Sequence, residues 1–393
     1  MTLPGINQLL AQPGQYLKGK TVGLIVNHTS LTKDNQHSIA HFKSHPSFIL
    51  NALFAPEHGL YGIAQDMIEI ENEIDPISDL NVSSLYGITE ESLEPNPDAL
   101  VEVDNLIFDI QDVGARYYTF IYTMAKCMDI CKKSNTRMII CDRPNPINGV
   151  SLEGNLVKED FRSFVGQYPL PNRHGMTVGE LALFFNHEID IGCELKVVPM
   201  TDWNREQWYD ETGLPWVPPS PNMPTLDTAV VYPGMCLIEG TQLSEGRGTT
   251  RPFENFGAPY IDPHKLLQRI KKDIDKLPGV IFRPQFFQPM FQKHRGEVCG
   301  GLQIHVTDRS QFKPFLTTLA LLRAIVELYP NDLKWRTEPY EFVSDRLAID
   351  LLYGNTHLRE TIFNDTFSLD EIENGWQEEL NCFKEVRNNY LIY

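Results

Sequence analysis

Short, almost continuous apolar runs alternate with amphipathic segments through the first half of this chain. The runs "TVGLIVN" (21–27), "FILNALFAP" (48–56), "NLIFDI" (105–110), "RMIICD" (137–142) and "ELKVVPM" (194–200) have the length and β-branched content of strands. Between them, "DNQHSIAHFKSH", "YTFIYTMAKCMDICKKS" and "TVGELALFFNHEI" read as helices. A strand that is apolar on both faces needs cover on both faces. The pattern therefore predicts a doubly wound α/β domain built on a mainly parallel sheet.

A proline-rich passage, "LPWVPPSPNMPT" (214–225), breaks the alternation and sets the expected boundary between a domain at 1–227 and a second at 228–393. The second part holds a strand-like "MCLIEG", a polar loop "TQLSEGRGTTRPFENFG" and a helical "HKLLQRIKKDI". Two β-rich runs follow, "GVIFRPQFF" and "CGGLQIHVTD", and then a long helix "FLTTLALLRAIVELY". This mixed order predicts a smaller α+β domain.

In open α/β sheets, ligands bind beyond the carboxyl ends of the strands. Four successive strand ends here deliver polar or titratable side chains. The first brings Asn27, His28, Thr29 and Ser30, and the second Glu57 and His58. The third brings Asp109, Gln111, Asp112 and Arg116, and the fourth Asp142, Arg143 and Asn145. Turn formers alone do not explain Gln and Arg. Glu57 lies between Pro56 and Gly59 at the end of an apolar run, where partial burial would raise its pKa into the range of a general acid. It could equally cap a turn or pair with Arg116. Asp109 and Asp112 read as catalytic carboxylates or as caps of the following helix. His28, His58 and His174 lack metal-ligand spacing, so they are expected to orient substrate rather than to bind a metal. In the polar loop, Glu245, Arg247 and Thr249 stand out. Arg247, flanked by glycines, could grip a substrate carboxylate.

Several functions are disfavoured. A formal net charge of -18 and no basic stripe argue against nucleic acid and against an anionic membrane surface. No apolar run approaches the ~20 residues of a membrane span, so membrane insertion is not expected. The first strand lacks G-x-G-x-x-G, "EGRGTT" is no P-loop, and no G-x-S-x-G occurs, so no cofactor is expected. Seven cysteines without a C-x-x-C pair read as reduced thiols. The amino-terminal residues do not form a signal peptide. The sequence as written is thus expected in the cytoplasm, or in the periplasm or outside the cell if an export signal has been trimmed.

The motifs "FAPEHGLYG", "SLYG", "IFDIQDVGARYYTFIYTM", "CDRPNPINGV", "HGMTVGELA", "SPNMPT", "GTQLSEGRGTTRPFE" and "GAP" occur in order from Asn27 to Pro259. Together they resemble the NamZ-type exo-β-N-acetylmuramidases. The resemblance implies a Rossmann-like first domain, a smaller second domain and a cleft between them. It implies hydrolysis of terminal β-linked N-acetylmuramic acid from the non-reducing end of peptidoglycan-derived oligosaccharides, with no metal or nucleotide. It makes Glu57 the best candidate for the catalytic acid. Gln65, Asp66, Tyr118 and Asn222 complete the expected substrate-binding set. Many family members read P-E-H-G-F-R-G and then A-G-E. This chain has Tyr61 and "AQDMIEIENE", which leaves Asp66, Glu69 or Glu71 for the second acidic position. Two other classes stay open: a metal-dependent amidase or phosphoesterase using Asp109, Asp112 and the histidines, and a sugar-binding protein without turnover.

Overall fold

The computed structural model describes residues 1–65, 67–69, 73–364 and 366–393. Seven strands form the main sheet: β1 (Thr21–Val26), β2 (Ile49–Ala55), β3 (Glu73–Ile74), β4 (Asn81–Ser84), β5 (Asn105–Asp109), β6 (Arg137–Cys141) and β7 (Leu195–Val198). Their order is β3-β4-β2-β1-β5-β6-β7, parallel throughout except where β3 runs antiparallel to β4. This is the doubly wound sheet expected from the alternation.

Side chains along the central strands go alternately to two cores. Ile25, Leu106, Phe108, Met138 and Ile140 enter one. Leu24, Val26, Ile107, Ile139 and Cys141 enter the other, under the helices Gly5–Ala11 and Ser38–Ser44. A period of two is thus present, hidden in the sequence because both faces are apolar.

The second sheet is antiparallel, in the order β8-β10-β9, with β8 (Asn255–Ala258), β9 (Val280–Phe287) and β10 (Cys299–Val306). The hairpin of β9 and β10 matches expectation. "MCLIEG" does not: it continues the helix Leu226–Met235 as a 3₁₀ segment, Cys236–Gly240. The larger core runs without a break from helix Phe120–Ser134 to helices Leu226–Met235 and Pro314–Leu328, so one apolar body joins the two parts of the chain. Polar ties cross the same junction. Glu153 accepts the backbone N–H groups of Phe315 (3.2 Å) and Leu316 (2.9 Å) at the start of helix Pro314–Leu328. The Tyr393 hydroxyl donates to Asp142 (2.8 Å) and accepts the Met200 N–H (2.7 Å). All seven cysteines are free thiols, and only Cys382 is exposed. Among the described residues, no helix is long and apolar enough to cross a membrane.

Candidate active site

Strand β2 ends at Ala55, and Pro56 begins a tight turn that the Gly59 N–H closes on the Pro56 carbonyl at 3.0 Å. His58 takes a left-handed φ of 71° in that turn. Such a conformation costs a non-glycine residue about 1–2 kcal/mol. Its Nδ1 lies 2.9 Å from the Ala64 carbonyl, a contact that helps hold the turn. The next loop passes close enough to His28 that a Cβ on Gly62 would meet the imidazole ring, so this approach needs glycine. The His28 Nε2 is 2.5 Å from the Pro218 carbonyl, and burial pushes its pKa below the ordinary imidazole value.

The turn aims Glu57 into a narrow cavity of about 50 Å³. The side chain belongs to a residue only 6% exposed. The Thr119 hydroxyl donates to its Oε2 at 2.8 Å, and the Met67 N–H to its Oε1 at 3.2 Å. His58, Tyr118 and Phe120 also line the cavity from the first part of the chain. Ser220, Asn222, Glu239, Arg247, Phe253, Tyr340 and Glu341 close it from the other side. The Asn222 Nδ2 donates to Gln65 Oε1 at 2.8 Å, tying the loop after β2 to that wall. Burial pushes the Tyr118 hydroxyl well above the usual phenol range, so it stays a protonated donor.

Glu239 and Arg247 also face a wider chamber of about 360 Å³, which adds Met67, Gln242, Glu245, Gln292, Lys293, Arg336 and Glu338. The Arg247 Nη1 donates to Glu245 at 3.0 Å, lies 3.1 Å from Glu239, and its guanidinium covers the Phe253 ring at 4.9 Å. Gly246 and Gly248 take φ of 80° and 79°, which turns the loop so that Arg247 reaches both carboxylates. The Lys293 Nζ donates to Glu245 at 2.8 Å. Burial alone would raise the Glu245 pKa. The Lys293 and Arg247 cations override it and hold the carboxyl down at about 2. Thr249 donates to the Gly246 carbonyl at 2.6 Å and holds the loop rather than lining either cavity.

With that geometry in view, two regions of the chain match known families. Residues 22–227 match the description "exo-beta-N-acetylmuramidase NamZ, N-terminal", and residues 230–393 match its C-terminal counterpart. The chain belongs to the NamZ family. A relative from Bacillus subtilis (strain 168), the peptidoglycan beta-N-acetylmuramidase NamZ, is 44% identical over 389 residues, covering 99% of this chain and 91% of its own. Two crystal structures of DUF1343 family proteins from Bacteroides fragilis NCTC 9343 are also similar. One has a TM-score of 0.87 at 33% identity and the other 0.78 at 29%, each covering 100% of this chain and 99% of its own.

Against this NamZ architecture, the expected site residues divide sharply. Glu57, His58, Tyr118, Asn222 and Arg247 line the narrow cavity, and Gln65 and Glu245 brace it. The strand ends of β1, β5 and β6 are bonded partly to one another. Among the described residues, Asn27 Nδ2, Asp109 Oδ2, Gln111 Oε1 and Asp112 Oδ1 stay buried without a hydrogen-bond partner, and Thr29, Gln111 and Arg143 line a separate small pocket. Arg143 forms a buried ion pair with Asp109 (Nη2 to Oδ1 2.6 Å), not with its neighbour Asp142. Burial raises the Asp109 pKa, and the Arg143 charge opposes that. Asn27 accepts from Thr29, and Ser30 donates to the Asp109 carbonyl. Asn145 holds the Met176 carbonyl and the Ile147 N–H. Asp112 accepts the Gly114 N–H at 2.8 Å and lies 3.7 Å from the buried His174. None of Asn27, Thr29, Ser30, Asp109, Asp112, Asp142, Arg143, Asn145 and His174 lines the narrow cavity or the wider chamber.

Arg116 is placed furthest from expectation. Its guanidinium is fully buried and donates to the carbonyls of Asn155 (2.6 Å), Leu170 (2.9 Å), Leu352 (2.7 Å) and Tyr353 (3.1 Å). It pins both parts of the chain together and touches neither cavity. Asp66 and Glu71 lie outside the described residues, and Glu69 is exposed. Among the described residues, no three His, Cys, Asp or Glu side chains gather as a metal-binding group.

Sequence reading missed Thr119, Ser220, Tyr340 and Glu341 as cavity residues. Glu341 carried a signal of its own, visible only in the backbone. Tyr340 and Val343 exchange both backbone hydrogen bonds at 2.9 Å around a two-residue turn, and Glu341 and Phe342 take φ of 44° and 67°. Hairpin turns of that kind normally use Asn-Gly. Here the strain sets a buried carboxylate on the cavity wall, where the Tyr86 hydroxyl donates to it at 3.2 Å.

Proposed function

We propose that this chain is an exo-acting β-N-acetylmuramidase that releases terminal β-linked N-acetylmuramic acid from the non-reducing end of peptidoglycan fragments, with Glu57 as general acid. The observation that carries this reading is the match over nearly the whole chain to a named peptidoglycan beta-N-acetylmuramidase, with Glu57 buried on the wall of a cavity. Glycoside hydrolysis needs a carboxylic acid that protonates the leaving oxygen and a second carboxylate for the water or the anomeric carbon. Glu57 has its two oxygens held by the Thr119 hydroxyl and the Met67 N–H, which fixes the carboxyl in place on the cavity wall. Among the described residues, Glu239 and Glu341 are the other carboxylates on that wall.

The test is release of nitrophenol from a β-nitrophenyl glycoside of N-acetylmuramic acid, before and after exhaustive chelation. Equal release in both supports the reading. Loss on chelation would favour a metal-dependent hydrolase, and no release at all would favour a sugar-binding protein. Glu341 offers a second check. Asparagine suits a left-handed backbone but is too short to keep the Tyr86 hydrogen bond, so Glu341→Asn is expected to change stability by no more than about 1–3 kcal/mol while turnover falls. Unchanged turnover in that variant would remove Glu341 from the reacting set.

A further inference from the structure

N-acetylmuramic acid differs from N-acetylglucosamine by a lactyl ether that carries a carboxylate. A site that tells the two apart needs a cation at that group, and on a chain of net charge -18 the field has to be local. The cations near the candidate site are mostly engaged. Arg116 is held by four carbonyls and Arg143 by Asp109. Arg247 pairs with Glu239 and Glu245. Lys293 gives its ammonium to Glu245 and to the carbonyls of Ile238 (3.1 Å) and Leu243 (3.0 Å).

Arg336 is different. It is half-buried on the wall of the wider chamber, beside Glu239 and Arg247. Its Nη2 reaches the Pro339 carbonyl only at 3.4 Å and the Met67 sulfur at 3.7 Å; among the described residues no carboxylate lies within ion-pair distance of it, and Glu338 feels its charge only at longer range. The neighbouring Glu338 turns instead to the Thr337 N–H (3.2 Å) and to Gln242 (3.4 Å). The guanidinium lies over the Tyr340 ring at 5.0 Å, a contact that sets its plane, and its backbone N–H is anchored to the Gly240 carbonyl at 2.9 Å. Met67 links this group to the reacting end. Its N–H donates to Glu57 and its sulfur faces Arg336, so a single residue spans the two.

We propose that Arg336 is the specificity-determining cation that receives the lactyl carboxylate of the terminal N-acetylmuramic acid, with the wider chamber holding the lactyl arm. This rests on the muramidase reading above. An Arg fork matches a carboxylate bidentately, and the aromatic ring beneath it pre-orders the fork.

The experiment compares a β-linked N-acetylmuramic acid glycoside with the same glycoside capped as the lactyl methylamide, which carries no charge. In Arg336→Ala, the ratio of kcat/KM between the anionic and capped substrates should fall by about 10- to 100-fold relative to wild type, chiefly through KM. Arg336→Gln, which preserves packing over Tyr340, should show the same fall, and Arg336→Lys a smaller one. An unchanged ratio in folded variants overturns the proposal. Calorimetric binding of free N-acetylmuramic acid against N-acetylglucosamine reads the contact without turnover. Preference for the acid that vanishes in Arg336→Ala, in a protein that hydrolyses neither glycoside, would uphold the Arg336 contact and refute the glycosidase reading. Absence of that preference in wild type would overturn the Arg336 contact.

Discussion

Replacing Glu57 by glutamine should lower the rate on a natural disaccharide by about 10²–10⁴ while leaving the fold intact, the range expected when a positioned general acid loses its proton. Glutamine keeps the volume of the side chain and can still accept the Thr119 hydroxyl, so the cavity should not collapse. The loss should depend on the leaving group. A sugar oxygen needs protonation as the C1–O bond breaks, whereas nitrophenolate leaves largely without help. Glu57→Gln should therefore retain a larger share of activity on the nitrophenyl glycoside than on the disaccharide. Near-wild-type turnover of the disaccharide would remove Glu57 from the acid role.

Arg116→Met should damage stability more than any cavity substitution. The methionine fills much of the space but donates nothing. The carbonyls of Asn155, Leu170 and Leu352 would lose the guanidinium, while Tyr353 would keep the Asn155 side-chain amide at 2.7 Å. A buried acceptor left unsatisfied costs about 1–3 kcal/mol, so three amount to several kcal/mol against a typical total stability of about 5–15 kcal/mol. Two of the four carbonyls belong to helix Ala348–Tyr353 and two to the first part of the chain, so the loss should loosen the junction between them. The expected result is a large drop in the denaturant midpoint, or insoluble protein. Arg116→Lys should rescue only part of it, because one ammonium cannot span four carbonyls. A wild-type midpoint in Arg116→Met would contradict this account of the residue.

The contrast between Glu57 and Arg116 shows what the sequence could and could not reveal. The parallel sheet was legible because apolar runs such as "NLIFDI" have few other uses between amphipathic helices. The place of Glu57 in a constrained turn at a strand end was legible because proline precedes it and glycine follows two residues later. The same reasoning could not tell that the ends of β1, β5 and β6 lie away from the cavity that Glu57 lines. A polar rim can bind a ligand or can satisfy itself, and Asp109 with Arg143 does the latter across 34 residues of sequence. Arg116 looked like a ligand group because arginine is not a turn former, and only the fold shows four carbonyls converging on it. "MCLIEG" was misread because a short apolar run carries too few residues to separate strand from helix. The far wall of the cavity was invisible for a different reason. Ser220, Tyr340 and Glu341 come from distant parts of the chain, and nothing in their local sequence names Glu57 as a neighbour.

The most direct measurement is the product analysis of two isomeric disaccharides, one with N-acetylmuramic acid β-linked at the non-reducing end of N-acetylglucosamine, the other with the two sugars exchanged. The expected result is free N-acetylmuramic acid from the first and no cleavage of the second. Cleavage of the N-acetylglucosamine-terminated disaccharide at a comparable rate, or cleavage of neither, would contradict the assignment of this chain as an exo-acting muramidase.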